Sequence, residues 1–554
     1  MQSFNCHKYK QVTNVAIQNR SWPNCVIEKA PRWVSVDLRD GNQALLEPMD
    51  IQKKKKMWGL LIKLGFKEIE VGFPSASQSD YDFIRWLIDE DKIPADVSIQ
   101  VLMQAREALI VRSFEALRGV HRAIIHLYNS TSQVQRERVF KLDKPGIIAI
   151  ACRGAKWVKR EANRYPQSEW IFEYSPESFS NTEVDYAVEI CDAVLNVWQA
   201  DSQVEPQQAC IINLPSTVES TTPNIFADQV EYFSNHLSRR DQIVLSVHTH
   251  NDRGGAVASA ELAVLAGAER VEGTLFGNGE RTGNMDIITM AMNLYSQGIN
   301  PELDFSQPDE MIQVYKACTG LDIHPRHPWV GELVYTAFSG SHQDAIRKCL
   351  HIQMEGEPWQ VAYLPIDPRD IGRDYQAIIR VNSQSGKGGI AFVLERDYGI
   401  ILPRWMQVEM AQVVQRESEQ CGSEIDSTHI YQLFQKHFMA NACEIKLQSF
   451  QLDRQGENHK INMTLIEKGN HVRLHGCGEG GLAAFVHAWQ KHTGQSIHMT
   501  HYDEHAIASG TDAQAIAFVQ LKINGQRFTG VAIDADSIAV TFKAVLSAIC
   551  RSYT

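Results

Sequence analysis

Residues 243–284 read IVLSVHTHNDRGGAVASAELAVLAGAERVEGTLFGNGERTGN, and this stretch decides the fold. It opens with an apolar, β-branched run ending in two histidines. A Gly-rich polar turn follows, then a helical pattern over residues 256–266. A second apolar run, 270–275, ends in another polar, Gly-rich segment. Strand, turn, helix, strand is the unit of a parallel sheet covered by helices.

Six further runs of the same kind lie upstream, at 33–36, 68–72, 97–103, 123–127, 170–174 and 209–214. Helical stretches such as 51–64 separate them. Eight strand–helix repeats predict an α/β fold, a (β/α)8 TIM barrel with its barrel proper at about 30–300. A doubly wound sheet is the competitor, but no GxGxxG follows the first strand. The strand ends are unusually polar: DLRDGNQ, GFPSASQ, HLYNSTS, EYSPES, NLPSTVE, HTHNDRGG and LFGNGERTGN. A barrel builds its active site from the C-terminal ends of its strands, so these side chains fall where catalysis is expected.

His248 and His250 are two apart on the seventh strand and therefore point to one side. Asp40, just past the first strand, offers a carboxylate, and Asn284 a further oxygen. A lone HxH is more often structural, and an Asp after a strand is often a helix cap. Placed together at the right strand ends, they predict a metal site with open positions, suited to Zn, Mn, Mg or Fe(II). A structural zinc would want cysteines, and none lies in these loops.

The chain has 554 residues, too many for a single core, and two or three domains are expected. Domain boundaries are drawn at 1–300 for the barrel, 301–441 for helical linker subdomains and 442–554 for a small α+β domain. Inside the last, HVRLHGCGEGGLAAFVHAW and QRFTGVAIDADSIAVTFKAVL form a weak internal repeat. A net charge of -12 argues against nucleic acid as a partner. No apolar run long enough to span a membrane occurs, and MQSFNCHKYK lacks a signal-peptide core, so a cytoplasmic protein is expected. Eleven cysteines without a CxxC pair read as free thiols. Lys53 to Lys56 read as a solvated helix face.

DLRDGNQAL (37–45) and the stretch 248–284 resemble the two signatures of the 2-isopropylmalate synthase and homocitrate synthase family. NLPSTVE, EYSPES, FSGSHQDA, YLPIDPRD and RVNSQSGKGG resemble the longer form of the 2-isopropylmalate synthases, and the similarity runs over nearly the whole chain. The resemblance implies a Claisen-type condensation of acetyl-CoA, the co-substrate, with 2-oxoisovalerate, then thioester hydrolysis. It implies that Arg39 offers a cation to the substrate oxygen, with a structural salt bridge as its plain reading. It implies substrate contacts for Thr217, His126 and Glu280. Glu177, His342 and Tyr363 become the acid–base groups, the last two reaching a partner's site in a homodimer.

The resemblance also implies leucine as an allosteric inhibitor. Two departures stand in that domain: Ala532 replaces a family glycine, and Glu479 and Gly481 replace a GNGP-like turn. If those positions need positive φ, leucine binding is altered. The alternatives are citramalate or homocitrate synthase, an HMG-CoA lyase, or a leucine-responsive paralogue without catalysis. The long C-terminal extension disfavours a lyase, and an Fe(II) oxygenase would sit on a jelly roll.

Overall fold

The computed structural model describes residues 15–17, 19–199, 210–337, 339–373, 387–421, 425–439, 445–508, 510 and 513–553. RVNSQSGKGG falls mostly outside these residues, as do the start of FSGSHQDA and the first ten residues. The described chain divides into two compact units, 1–334 and 335–554.

The first unit is a closed barrel of eight parallel strands in sequence order. They are β1 Arg32–Ser35, β2 Glu68–Gly72, β3 Ser98–Gln104, β4 Arg122–Ser130, β5 Glu169–Glu177, β6 Cys210–Ser216, β7 Val244–Thr249 and β8 Arg270–Gly273. β8 returns to β1 in parallel register, Trp33 opposite Val271. That closure brings the Asp40 turn near β7, which the metal site requires. Helices alternate with the strands for local reasons. Ile51–Leu64 starts at Asp50, whose side chain accepts the Lys53 amide, and stops at Gly65 in the left-handed region. The helix Pro308–Thr319 also belongs to this unit, although the sequence boundary at 300/301 placed it with the linker.

The lysine run is not a uniformly solvated face. Lys54 is 1 % exposed and its ammonium contacts the Asp80 carboxylate. Asp80 in turn accepts the Phe73 amide at 2.7 Å and so holds the loop after β2. A buried charge needs such a partner. Its neighbour Lys55 lies over the Trp86 ring, 4.2 Å from the centroid.

The second unit contains the helix Gly340–Ile352 and a three-helix group, Lys387–Tyr398, Arg404–Cys421 and Ser427–Phe434. Two copies of a three-stranded antiparallel sheet with a helix follow. The first is β9 Ile445–Gln455, β10 Asn458–Glu467 and β11 Asn470–Gly478 with helix Gly481–Thr493. The second is β12 Ile497–Ala506, β13 Ala515–Ile523 and β14 Gln526–Asp534 with helix Ser537–Arg551. The repeat holds at the level of single contacts. A Cβ on Gly476 would lie 2.1 Å from the Ala484 carbonyl, and one on Gly530 2.3 Å from that of Ala544. Each glycine lets a strand touch its own helix.

Both modules share one core containing Trp489, Phe485 and Phe542. The second sheet also packs its other face, Ile516, Phe518 and Val531, against the three-helix group. The expected division at 441/442 therefore runs through a shared core. Ala532 stands inside β14, paired with Ala517, and Gly480 caps the following helix of the first module with an extended backbone. Neither Ala532 nor Glu479 has positive φ, so the expected strain at those departures is absent. Of the described cysteines seven are free, but Cys550 is disulfide-bonded, which corrects the reading of free thiols throughout.

Candidate metal centre and active site

β1 runs into a tight π-helical turn, Asp37–Gly41, which swings Asp40 over the barrel mouth. The turn is tied to β8. Both Asp37 carboxylate oxygens accept the Leu275 amide, at 3.1 and 3.2 Å. The Asn278 side chain donates to the Gly41 carbonyl at 2.9 Å. Burial pushes the Asp37 carboxyl up to about 7, against its hydrogen bonds from Ser35 and Leu275.

Asp40 Oδ2 lies 3.3 Å from His248 Nε2 and 3.4 Å from His250 Nε2. This oxygen is buried and has no hydrogen-bond partner among the described residues, an arrangement that suits a cation. The three residues can together hold a metal ion. Chain return after β8 supplies the fourth group: Asn284 forms an antiparallel bridge with His250, and its Oδ1 sits 2.9 Å from His248 Nε2. Asn284 Nδ2 donates to the Asn278 carbonyl, which orients the oxygen inward.

Both imidazoles are held from behind. His248 Nδ1 lies 2.8 Å from Glu272 Oε2, and His250 Nδ1 3.1 Å from the Ser216 carbonyl. Each contact can hold a proton on Nδ1, which leaves Nε2 as the nitrogen that could ligate a metal. Burial lowers the His248 imidazole, but the Asp40 and Glu272 carboxylates beside it outweigh that and push the group up to about 10. Burial also opposes ionisation of Asp40, yet the Arg39 guanidinium and the two histidines hold it well below the usual carboxylate range. Arg39 donates to Asp40 at 2.7 Å and to Glu70 at 2.5 Å. Its plain reading as a salt bridge is thus met, while the side chain still lines the cavity.

That cavity, about 190 Å³, is lined by Arg39, Asp40, His126, Glu177, Thr217, His248, His250 and Glu280. Asn284 is not among the residues that line it. His342 and Tyr363 lie in the second unit, their rings stacked at 4.0 Å, with Tyr363 61 % exposed. A larger cavity, about 730 Å³, opens at the other end of the barrel among Arg32, Lys67, Glu68 and Arg122. That N-terminal face is concerned with stability in this fold, and the candidate metal group of Asp40, His248 and His250 lines the other cavity.

Several lining residues were not picked out from sequence: Gln43, Phe73, Leu102, Tyr128, Ser175, Asn213, Pro215 and Arg281. Leu102, Tyr128 and Asn213 sit near strand ends, the signal that could have found them. Below the cavity the barrel interior is charged. Arg270, fully buried, donates to Glu68 at 2.6 Å, Ser246 at 2.9 Å, Glu272 at 2.9 Å and Gln100 at 2.5 Å. Its contact with Glu173 is 3.4 Å. His126 Nδ1 is 3.2 Å from Glu70, and its Nε2 2.7 Å from the Ser175 hydroxyl.

Comparison of the sequence with known proteins gives the family. Residues 30–314 match the HMGL-like family and residues 332–395 the alpha-isopropylmalate synthase post-catalytic domain. Residues 424–553 match the LeuA allosteric (dimerisation) domain. A 2-isopropylmalate synthase from Alcanivorax borkumensis is 51 % identical over 99 % of this chain and 98 % of that protein. One from Pseudomonas syringae pv. tomato is 51 % identical over 98 % and 97 %. The chain belongs to the 2-isopropylmalate synthase family. A structure of an HMG-CoA lyase from Acenitobacter baumannii is 19 % identical, with TM-score 0.42, over 54 % of this chain and 93 % of that one. Among the described residues no helix is long and apolar enough to cross a membrane.

Proposed function

We propose that the chain catalyses the reaction for which its relatives are named. Acetyl-CoA and 2-oxoisovalerate condense, and water cleaves the thioester to release 2-isopropylmalate and CoA. The observation that carries this reading is the orphaned Asp40 oxygen between two back-braced imidazoles, in a chain aligned end to end with named synthases.

Asp40, His248 and His250, with Asn284, would hold a divalent metal. When bound, it supplies Lewis-acid polarisation to the ketone of a 2-oxo acid. Thr217 Oγ1 accepts the Ser178 amide at 2.9 Å, so its own O–H is available to donate to the substrate carboxylate. Arg39 uses donors on Glu70 and Asp40 and presents the rest of its fork to the oxygen that gains charge. The acetyl methyl is a weak carbon acid and needs a positioned base. Glu177 assists from the cavity wall, and His342 with Tyr363 complete the acid–base set, contributed by a second copy in a homodimer. The carbon formed by losing that proton attacks the ketone carbon, and the new alkoxide takes up a proton. Glu280 braces the loop and the pocket: it accepts from Gln43 at 3.0 Å. Leucine is the effector of the domain at 424–553.

The test is thiol release from acetyl-CoA against a panel of 2-oxo acids, repeated with added leucine. Release with 2-oxoisovalerate is expected to exceed that with pyruvate by about 10-fold or more per methylene-sized difference, and to fall as leucine is added. Preference for pyruvate or 2-oxoglutarate overturns the substrate; an unchanged rate across the leucine titration overturns the effector.

A further inference from the structure

Glu177 is the last residue of β5, and Ser130, the last of β4, is its register partner in the parallel ladder. Neighbours in such a ladder present their side chains to the same side. The Ser130 hydroxyl donates to Glu177 Oε2. The next residue, Thr131, holds the Glu177 carbonyl twice, through its amide and its hydroxyl, each at 3.0 Å. Immediately after Glu177 the chain turns through Ser178, whose φ of +64° is the left-handed region. The Ser178 amide is held by Thr217 and its carbonyl by Thr182, at 2.9 Å each.

Every backbone contact thus fixes where the Glu177 carboxyl begins, and Ser130 fixes where it ends. A glutamate side chain has three rotatable bonds, and without a partner at its tip it samples several rotamers. A base works only within hydrogen-bond reach of its proton. A serine at the end of a strand commonly binds a nearby backbone group. Here its donor goes to a carboxylate in the cavity wall instead.

We propose that Ser130 is a positioning residue for the condensation, holding the Glu177 carboxylate aimed into the cavity and acting through it without touching substrate. This rests on the reading of Glu177 as a group that assists proton removal. Ser130 lies on β4, apart from the metal-binding set, so metal content reports independently on the fold of the site.

The full-length protein is compared as Ser130→Ala, Ser130→Thr, Glu177→Gln and the double variant Ser130→Ala/Glu177→Gln. Ser130→Ala is expected to lower kcat about 10–100-fold, with metal content and the KM for 2-oxoisovalerate within about twofold of wild type. The isotope effect on kcat with trideuterated acetyl-CoA should rise, because proton removal is the step slowed. Ser130→Thr, which keeps the hydroxyl, should recover most of the rate. The double variant should be no slower than Glu177→Gln alone. Wild-type kcat in Ser130→Ala beside an impaired Glu177→Gln overturns the proposal, as does a double variant showing the product of both losses. Wild-type kcat in Glu177→Gln overturns the reading of Glu177 itself.

Discussion

Turnover in His248→Ala is expected to fall by about a thousandfold or more, together with loss of bound metal. A Lewis acid contributes several kcal/mol to stabilising charge on an oxygen, and each 1.36 kcal/mol is a factor of ten in rate. His248 is the ligand to remove because three contacts converge on it: Asp40 at 3.3 Å, Asn284 at 2.9 Å and Glu272 at 2.8 Å. Without its ring only one imidazole stays beside Asp40. Glu272→Gln gives the graded comparison: it keeps the shape but weakens the brace, and metal affinity should drop about 10–100-fold. Because the metal-free imidazole is pushed up to about 10, a metal must displace a proton there, and affinity should rise with pH below that value. Elemental analysis after dialysis and a calorimetric metal titration read both variants. Full metal content and turnover in His248→Ala would place the centre elsewhere.

Much of this was legible because β strands are periodic and barrels put chemistry at one end. HTH at 248–250 needs only the two-residue repeat to set both imidazoles on one side. Asp40 needed the further step that a closed barrel returns its first strand to its eighth. The interior charge was harder. EIEVG at 68–72 and RVEG at 270–273 were read as apolar runs, yet Glu70, Arg270 and Glu272 are fully buried beside Ile69 and Val271. In a barrel the apolar positions of such strands face the helices, and the intervening positions face a small interior that can be polar if its charges pair. Lys54 was misread for a related reason: a lysine counts as solvated until a buried partner, Asp80, is known from elsewhere in the chain. His342 and Tyr363 had no spacing signal at all. They sit in a separate compact unit, and the family resemblance alone pointed to them.

Arg270→Met should destabilise the first unit by about 3–5 kcal/mol, a large part of the roughly 5–15 kcal/mol that holds a domain folded. Arg270 is the cation that makes the interior tenable. With it present, Glu272 is held well below the usual carboxylate range against the cost of burial. Glu173, more distant from the guanidinium and crowded by Glu272 and Glu70, is instead pushed well above it by burial. Removing the guanidinium leaves Glu272 buried without its main counter-charge, and its carboxyl then rises too. An acid raised in the folded state stabilises below its unfolded value and loses that contribution as pH climbs through the folded one. The deficit of Arg270→Met should therefore be greatest at neutral and alkaline pH and shrink on acidification, measured as urea midpoints followed by tryptophan fluorescence. Lysine is no remedy, because one ammonium cannot reach Glu68, Gln100, Ser246 and Glu272 at once. The triple variant Arg270→Met/Glu173→Gln/Glu272→Gln removes the unpaired charges along with the cation. It should regain most of the stability while metal affinity stays low, since His248 has lost the carboxylate that braces it. An unfolding free energy for Arg270→Met within about 0.5 kcal/mol of wild type, the range of an ordinary surface substitution, would mean that the interior carboxylates are already neutral. The brace on His248 would then be a neutral acid rather than an anion.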